Sequence, residues 1–252
     1  LIAEDNKAGR LLAAKLFDKA GCDVKVVRNG KLAVEETEKR DYDFVFLDIR
    51  MPVMGGIDAA KAIRNLEKDT GNRKTIVAMT AEDLSSDREI YFSAGMDDCI
   101  IKPIDQTSVN GILEKYGAST ATDRAAEKPE LNLKSKLDWN KILSRAADDP
   151  SILKEVIDVF LQDYPSMLDD LQKAVTDKNA EEIEKRAHKL KGAVAIFEHK
   201  ESYENAFELE KLGRSKNLES VDAIYERLRK SLDYLRDNLI DRSHKSLSEQ
   251  IK

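Results

Sequence analysis

The sequence predicts two folded parts: an α/β part built as a (βα)5 doubly wound parallel sheet over residues 1–117, and an all-α four-helix bundle over 137–240. Two observations point there. Up to Tyr116, short apolar runs alternate with helical patterns, the mark of a parallel sheet clothed by helices. Beyond Lys136 the apolar residues keep helical spacing and offer no strand. Between the two parts, residues 118–136 are small, polar and charged, with little to bury, and read as a linker. Residues 241–252 read as a frayed polar tail.

In chain order, the strands are Leu1–Ala3, Val24–Val27, Phe44–Leu47, Thr75–Met79 and Cys99–Ile101, short and apolar as befits strands covered on both faces. Asn6 is placed to cap a helix that runs to Ala20 and stops at Gly21. Ser85 or Ser86 is placed to cap another that ends at Ala94–Gly95. The second part divides into helices at Ser151–Asp163, Pro165–Thr176, Ala180–Glu198, Ser202–Leu212 and Leu218–Leu239. Pro165 is put at a helix start, where its missing N–H costs nothing. Long helices with short joints imply an antiparallel bundle.

Composition removes several functions. The net charge is −6, and residues 1–117 carry 18 basic and 21 acidic groups against 24 and 27 in the remainder, so neither part is basic. Without clustered Lys and Arg to neutralise phosphates, a nucleic-acid partner is disfavoured. No apolar run approaches the roughly 18 residues that span a bilayer, so no membrane contact is expected of this segment. Cys22 and Cys99 form neither a disulfide framework nor a metal quartet, which suits a reducing cytoplasm. The opening Leu-Ile-Ala-Glu-Asp-Asn starts inside a strand and suggests a piece of a longer protein.

In a doubly wound sheet, ligands sit where the strands end. The residues there are Glu4 and Asp5 after the first strand, Asp48 after the third, Thr80 after the fourth and Lys102 after the fifth. Converging carboxylates repel one another and call for a cation, and an all-oxygen set favours Mg²⁺. A hydroxyl and an ammonium facing the same spot supply donors for phosphoryl oxygens, which makes Asp48 the nucleophile. Gly55–Gly56 reads as a turn, and no Walker-type loop for ATP is present.

These residues lie in the contexts Ile-Ala-Glu-Asp-Asn, Phe-Leu-Asp-Ile-Arg-Met-Pro-Val-Met-Gly-Gly, Ala-Met-Thr-Ala and Ile-Lys-Pro-Ile, and together they resemble the receiver domain of two-component signalling proteins. The resemblance implies that Asp48 accepts the phosphoryl group and that Asp5 binds Mg²⁺ directly and Glu4 through water. It adds the Arg50 carbonyl as a further ligand and gives Thr80 and Lys102 the phosphoryl oxygens. Receivers usually carry Tyr or Phe three residues before the Lys, where this chain has Cys99, which argues for a relay role over an aromatic-switch output. Arg50 and Glu82 flank the site and are expected to pair across it. An aspartyl-nucleophile phosphatase needs an acid two residues after the Asp, where Arg50 stands, so turnover hydrolysis is unsupported.

Of the three histidines, His199 and His244 have no motif and are assigned to the surface. On the helix Ala180–Glu198, the apolar stripe is Ile183, Ala187, Leu190, Val194 and Phe197, and His188 lies about 140° from its centre. Lys191, Gly192 and Ala195 share the His188 side and read as a small, basic surface fit for a phosphoryl group. Ala-His-Lys-Leu-Lys-Gly-Ala in a bundle of this size resembles the histidine phosphotransfer domain. The pairing of the two modules resembles the C-terminal part of a hybrid sensor histidine kinase. It implies an upstream histidine kinase domain as donor, a downstream response regulator receiver domain as acceptor, and docking through Leu11, Leu12 and Ala14. The alternative is a regulatory scaffold that relays nothing.

Overall fold

The protein is described by a computed structural model over residues 1–81, 84–117 and 137–249. The chain divides into two compact units, Leu1–Pro129 and Glu130–Lys252.

The first unit alternates strand and helix: β1 (Ile2–Ala3), α1 (Lys7–Lys19), β2 (Val26–Val27), α2 (Gly30–Lys39), β3 (Phe44–Asp48), α3 (Gly56–Thr70), β4 (Thr75–Thr80), α4 (Leu84–Ser93), β5 (Asp98–Ile101) and α5 (Gln106–Gly117). All pairings are parallel, and the order β2-β1-β3-β4-β5 is the flavodoxin-like doubly wound arrangement. The order reverses between β1 and β3, which places the crevice at their carboxyl ends. Apolar strand residues fill both faces. Leu1, Ala3, Val45, Leu47, Ile76 and Ala78 are buried with Ala59, Ala60 and Ile63 of α3. Strand boundaries move by one or two residues from expectation, and β3 and β4 extend to include Asp48 and Thr80. Asn6 caps α1 by accepting from the Gly9 amide, as expected. Ser85 and Ser86 lie inside α4, so neither is its cap. β2 and β5 are opposite edges, and Cys22 and Cys99 are both free thiols.

The second unit is helical: α6 (Trp139–Arg145), α7 (Pro150–Thr176), α8 (Ala180–Ala195), α9 (Lys200–Ser215) and α10 (Val221–Glu249). Each of the four long helices packs on the next, and α10 closes back on α7, which makes a four-helix bundle. The short α6, capped by Asp138, was not anticipated. Pro165 does not begin a helix. α7 runs unbroken through it, because Ile152, Val156 and Phe160 before it and Leu171 and Val175 after it bury one continuous stripe that outweighs the lost hydrogen bond. α10 likewise continues to Glu249, through most of the stretch expected to fray. The expected linker 118–136, Glu82 and residues 250–252 lie outside the described residues, as does the side chain of His244.

His199 is not on the surface but fully buried. Its Nδ1 lies 2.8 Å from the Ser202 hydroxyl, which donates to Ser231 Oγ, and the ring stacks on Tyr234. Burial holds its pKa below the usual histidine value, so the ring sits there neutral.

Candidate functional site

The parallel register of β3 and β4 sets Asp48 beside Met79, one residue short of Thr80, and β1 ends next to β3 with Glu4 and Asp5 immediately after it. One oxygen from each of Glu4, Asp5 and Asp48 lies within 4.8 Å of the others. Glu4 and Asp48 are buried. Lys102, just past β5, reaches both: its Nζ is 2.5 Å from Glu4 Oε2 and 2.9 Å from Asp48 Oδ2. Four of the strand-end residues therefore converge as the sequence predicts, and Thr80 is buried at the end of the neighbouring strand. Arg50 contributes its amide, which donates to Asp48 Oδ1 at 3.2 Å.

Burial pushes the Asp48 carboxyl up to about 7, with Glu4 and Asp5 adding to the rise and Lys102 opposing it. Burial disfavours the Lys102 ammonium, but Asp48 and Glu4 outweigh that and hold it well above the usual lysine value. Glu4, Asp5 and Asp48 bring three carboxylates to one place, and the donors they offer are all oxygen. Those properties fit a hard divalent cation such as Mg²⁺.

Three supporting features escaped sequence reasoning. The Arg10 guanidinium donates to the carbonyls of Glu4 and Asp5 at 2.7 and 2.8 Å, tying α1 to the acidic turn. Gly56, the first residue of α3, passes so close to β3 that a Cβ there would stand 2.4 Å from the Asp48 carbonyl oxygen. The double glycine is thus a packing device beneath the site. A third feature is the Tyr91 hydroxyl of α4, 3.3 Å from Thr80 Oγ1. Leu12 is buried in the core at 2% exposure, so of the residues assigned to docking only Leu11 and Ala14 retain accessible surface.

In the bundle, His188 on α8 keeps 17% of its side chain accessible, and its Nδ1 lies 3.1 Å from Glu210 Oε1 on α9. Gly192 opens onto free space, with nothing within 4 Å of where a Cβ would sit. Lys191 is not part of an exposed basic surface. It is 1% exposed, with Nζ 2.6 Å from Glu210 Oε2 and 4.8 Å from the Phe207 ring centre. Ala195 is buried too. The reason is that α8 is sandwiched between α7 and α9, so a second face of it is covered besides the apolar stripe.

Glu210 is fully buried and is also held by Arg214 at 2.9 Å. Burial alone would raise its pKa, but the His188 hydrogen bond and the Lys191 charge bring it down to about 2. A carboxylate only accepts, so Nδ1 is the ring nitrogen that donates to Glu210, and Nε2 is the one not engaged by that contact. Gly213, one turn after Glu210, permits this geometry: a Cβ there would meet the Glu184 amide at 2.5 Å, so α8 and α9 close up only over a glycine. Glu210 is 22 positions from His188 in sequence. Its one sequence signal is a lone acid on the otherwise apolar line of Ala206, Leu209 and Gly213.

Comparison with known proteins adds two family matches: response regulator receiver domain over residues 1–114 and Hpt domain over 155–238. The sensor histidine kinase GacS of Pseudomonas protegens is 30% identical over 201 residues, covering 77% of this chain and 22% of that protein. The signal transduction histidine-protein kinase BarA of Escherichia coli is 26% identical over 198 residues, 77% of this chain and 21% of that one. The chain spans about a fifth of the length of these curated relatives. A crystal structure of the receiver domain of sensor histidine kinase PA1611 from Pseudomonas aeruginosa, described with a magnesium ion in its active-site cleft, is 33% identical. It covers 46% of this chain and 95% of that one, with a TM-score of 0.42. Among the described residues no helix is long and apolar enough to cross a membrane.

Proposed function

From a chain that belongs to the receiver family over residues 1–114 and to the Hpt family over 155–238, and so to phosphorelay signalling, we propose a specific route for the phosphoryl group. Asp48 takes it from a phosphohistidine of an upstream histidine kinase domain. His188 takes it from a receiver aspartate and passes it to a downstream response regulator receiver domain. The observation that carries this reading is the Lys102 ammonium bridging Glu4 and Asp48 at the mouth of the crevice.

In the first step an Asp48 carboxylate oxygen attacks phosphorus, the P–N bond breaks, and the electron pair leaves with the donor imidazole. Lys102 and the Thr80 hydroxyl supply hydrogen bonds to the peripheral oxygens as charge shifts onto them. Glu4, Asp5 and Asp48, with the Arg50 carbonyl, would hold Mg²⁺, which when bound neutralises charge on the phosphoryl oxygens. Arg10 keeps the acidic turn in place by its two carbonyl contacts.

In the second step His188 Nε2 attacks the phosphorus of an aspartyl phosphate, the P–O bond breaks, and the carboxylate is regenerated. The imidazole gains positive charge as it does so, and Glu210, bonded to Nδ1–H, stabilises that charge while fixing the tautomer. Lys191 serves as the buried counter-charge that keeps Glu210 ionised. Gly192 leaves the surface beside His188 open to an incoming receiver.

The test is phosphorylation with acetyl phosphate and Mg²⁺, read by intact mass and peptide mapping, on wild type, Asp48→Asn and His188→Gln. The relay predicts label on Asp48 that reaches His188 only when both residues are present or when phosphorylated receiver is added in trans. Label that stops at Asp48 under both conditions refutes the bundle's role. No label at all favours the scaffold.

A further inference from the structure

His199 stands just before α9, fully buried, yet its side chain does not cap that helix. A chain of hydrogen bonds fixes where its proton lies. The Leu228 carbonyl only accepts, so Ser231 donates to it at 2.8 Å, and the Ser202 hydroxyl donates in turn to Ser231 Oγ at 3.1 Å. That leaves His199 Nδ1 to donate to Ser202 Oγ at 2.8 Å. In the neutral ring Nε2 therefore carries a lone pair, and among the described residues this buried nitrogen has no hydrogen-bond partner. An unmatched buried acceptor is costly, and this one sits where α9 meets α10, with the exposed Tyr234 ring stacked on it at 5.5 Å.

We propose that His199 is a proton-operated release between α9 and α10: a proton taken up at Nε2 parts the two helices at this corner. An Nε2–H would be a charged donor without an acceptor inside the closed bundle, so the protonated ring is accommodated only where water reaches it, and that requires α9 and Tyr234 to separate. The polar groups around the ring are Ser202 of α9 and Ser231 and Tyr234 of α10. Burial disfavours the charged ring and outweighs the Glu201 carboxylate of α9, which favours it. Glu198, the preceding residue, is already paired with Arg145 of α6 at 2.5 Å. The folded protein thus binds this proton less tightly than the unfolded chain, in which a histidine titrates near 6.5. Stability contributed by the neutral ring is complete above pH 6.5 and is lost as the pH falls below it. That window lies above the one in which Glu210 protonates. Because α9 also carries Glu210, the release withdraws that carboxylate from His188, a consequence that rests on the reading of His188 as acceptor.

The experiment follows the unfolding constant of the bundle in urea by Trp139 fluorescence, from about pH 7.5 to about pH 5, in wild type and in His199→Asn, whose amide donates to Ser202 without titrating. One extra proton bound on unfolding makes the wild-type constant rise, relative to the variant, about tenfold per pH unit of acidification below 6.5. Parallel profiles for the two proteins overturn the inference. A second measurement needs no variant at His199. In protein carrying ¹³Cε1-histidine, the His199 resonance should remain that of the neutral ring until the Ser202 and Ser231 amides lose protection from hydrogen exchange, and should titrate together with that loss. A ring that titrates while both amides stay protected overturns the release. Acceptance at His188 from a phosphorylated receiver, compared at the two ends of the pH range, should fall further in wild type than in His199→Asn. An equal fall in both overturns the link through α9. No acceptance even at the upper end overturns the reading of His188, while the unfolding constants and the His199 resonance still decide the release.

Discussion

Glu210→Gln removes one charge from the interior of the bundle and nothing else of consequence in size. The wild-type carboxylate, fully buried, faces Lys191 at 2.6 Å, His188 at 3.1 Å and Arg214 at 2.9 Å. Its pKa of about 2 in the folded protein lies below the 4.5 of an unperturbed glutamate. At about 1.4 kcal/mol per unit, ionised Glu210 contributes about 3 kcal/mol. Because the folded value is the lower one, this contribution is complete above pH 4.5 and is lost as the pH falls toward 2. Breaking a buried pair from one side costs a similar amount, about 3–5 kcal/mol, since Lys191 is left without its counter-charge. The chain has a single tryptophan, Trp139 on α6, so its fluorescence follows the bundle alone. With a urea slope of about 1.5 kcal/mol per molar, the unfolding midpoint of Glu210→Gln at pH 7 should fall by about 2 M. Lys191→Met with Glu210→Leu removes both charges and should recover at least half of the loss, because His188 and Arg214 are exposed enough to turn to water. A midpoint within about 0.5 M of wild type for Glu210→Gln, or a double variant no more stable than the single, would refute the charge-pair account.

Three other perturbations probe the two units separately. Lys102→Met removes the ammonium between Glu4 and Asp48 and should slow acetyl phosphate labelling of Asp48 about 100-fold, measured by intact mass. Gly56→Ala drives a Cβ to 2.4 Å from the Asp48 carbonyl oxygen and should destabilise the first unit by about 2 kcal/mol, seen as faster hydrogen exchange at the β3 amides. Pro165→Ala restores a donor in the middle of α7 at an exposed position and should stabilise the bundle by about 1–2 kcal/mol, seen as a higher urea midpoint by Trp139 fluorescence.

The acidic crevice was legible because a doubly wound sheet puts its ligands at strand ends, and strand ends can be read from one-dimensional patterns. Glu4, Asp5, Asp48 and Lys102 each sit directly after an apolar run, so locating the runs locates the residues. His188 was legible for a related reason: helical periodicity separates it from the apolar stripe of its own helix. That same periodicity misplaced Lys191 and Ala195. It describes one helix against one neighbour, while α8 is covered by α7 on one side and α9 on another. His199 was misplaced because a polar residue at a helix start looks solvated until α10 brings Ser231 and Tyr234 over it.

Composition and spacing alone thus determined two modules, an oxygen-rich crevice with an ammonium in it, and a histidine set off the core stripe, since each depends on order along the chain. Tertiary structure decided which groups surround those residues. Glu210 beneath His188, Tyr91 against Thr80 and the unbroken α7 across Pro165 all arise from contacts between elements distant in sequence, or from packing gains that override a local preference. No local pattern encodes them, because the energy that selects them is collected only when separate helices and strands close on one another.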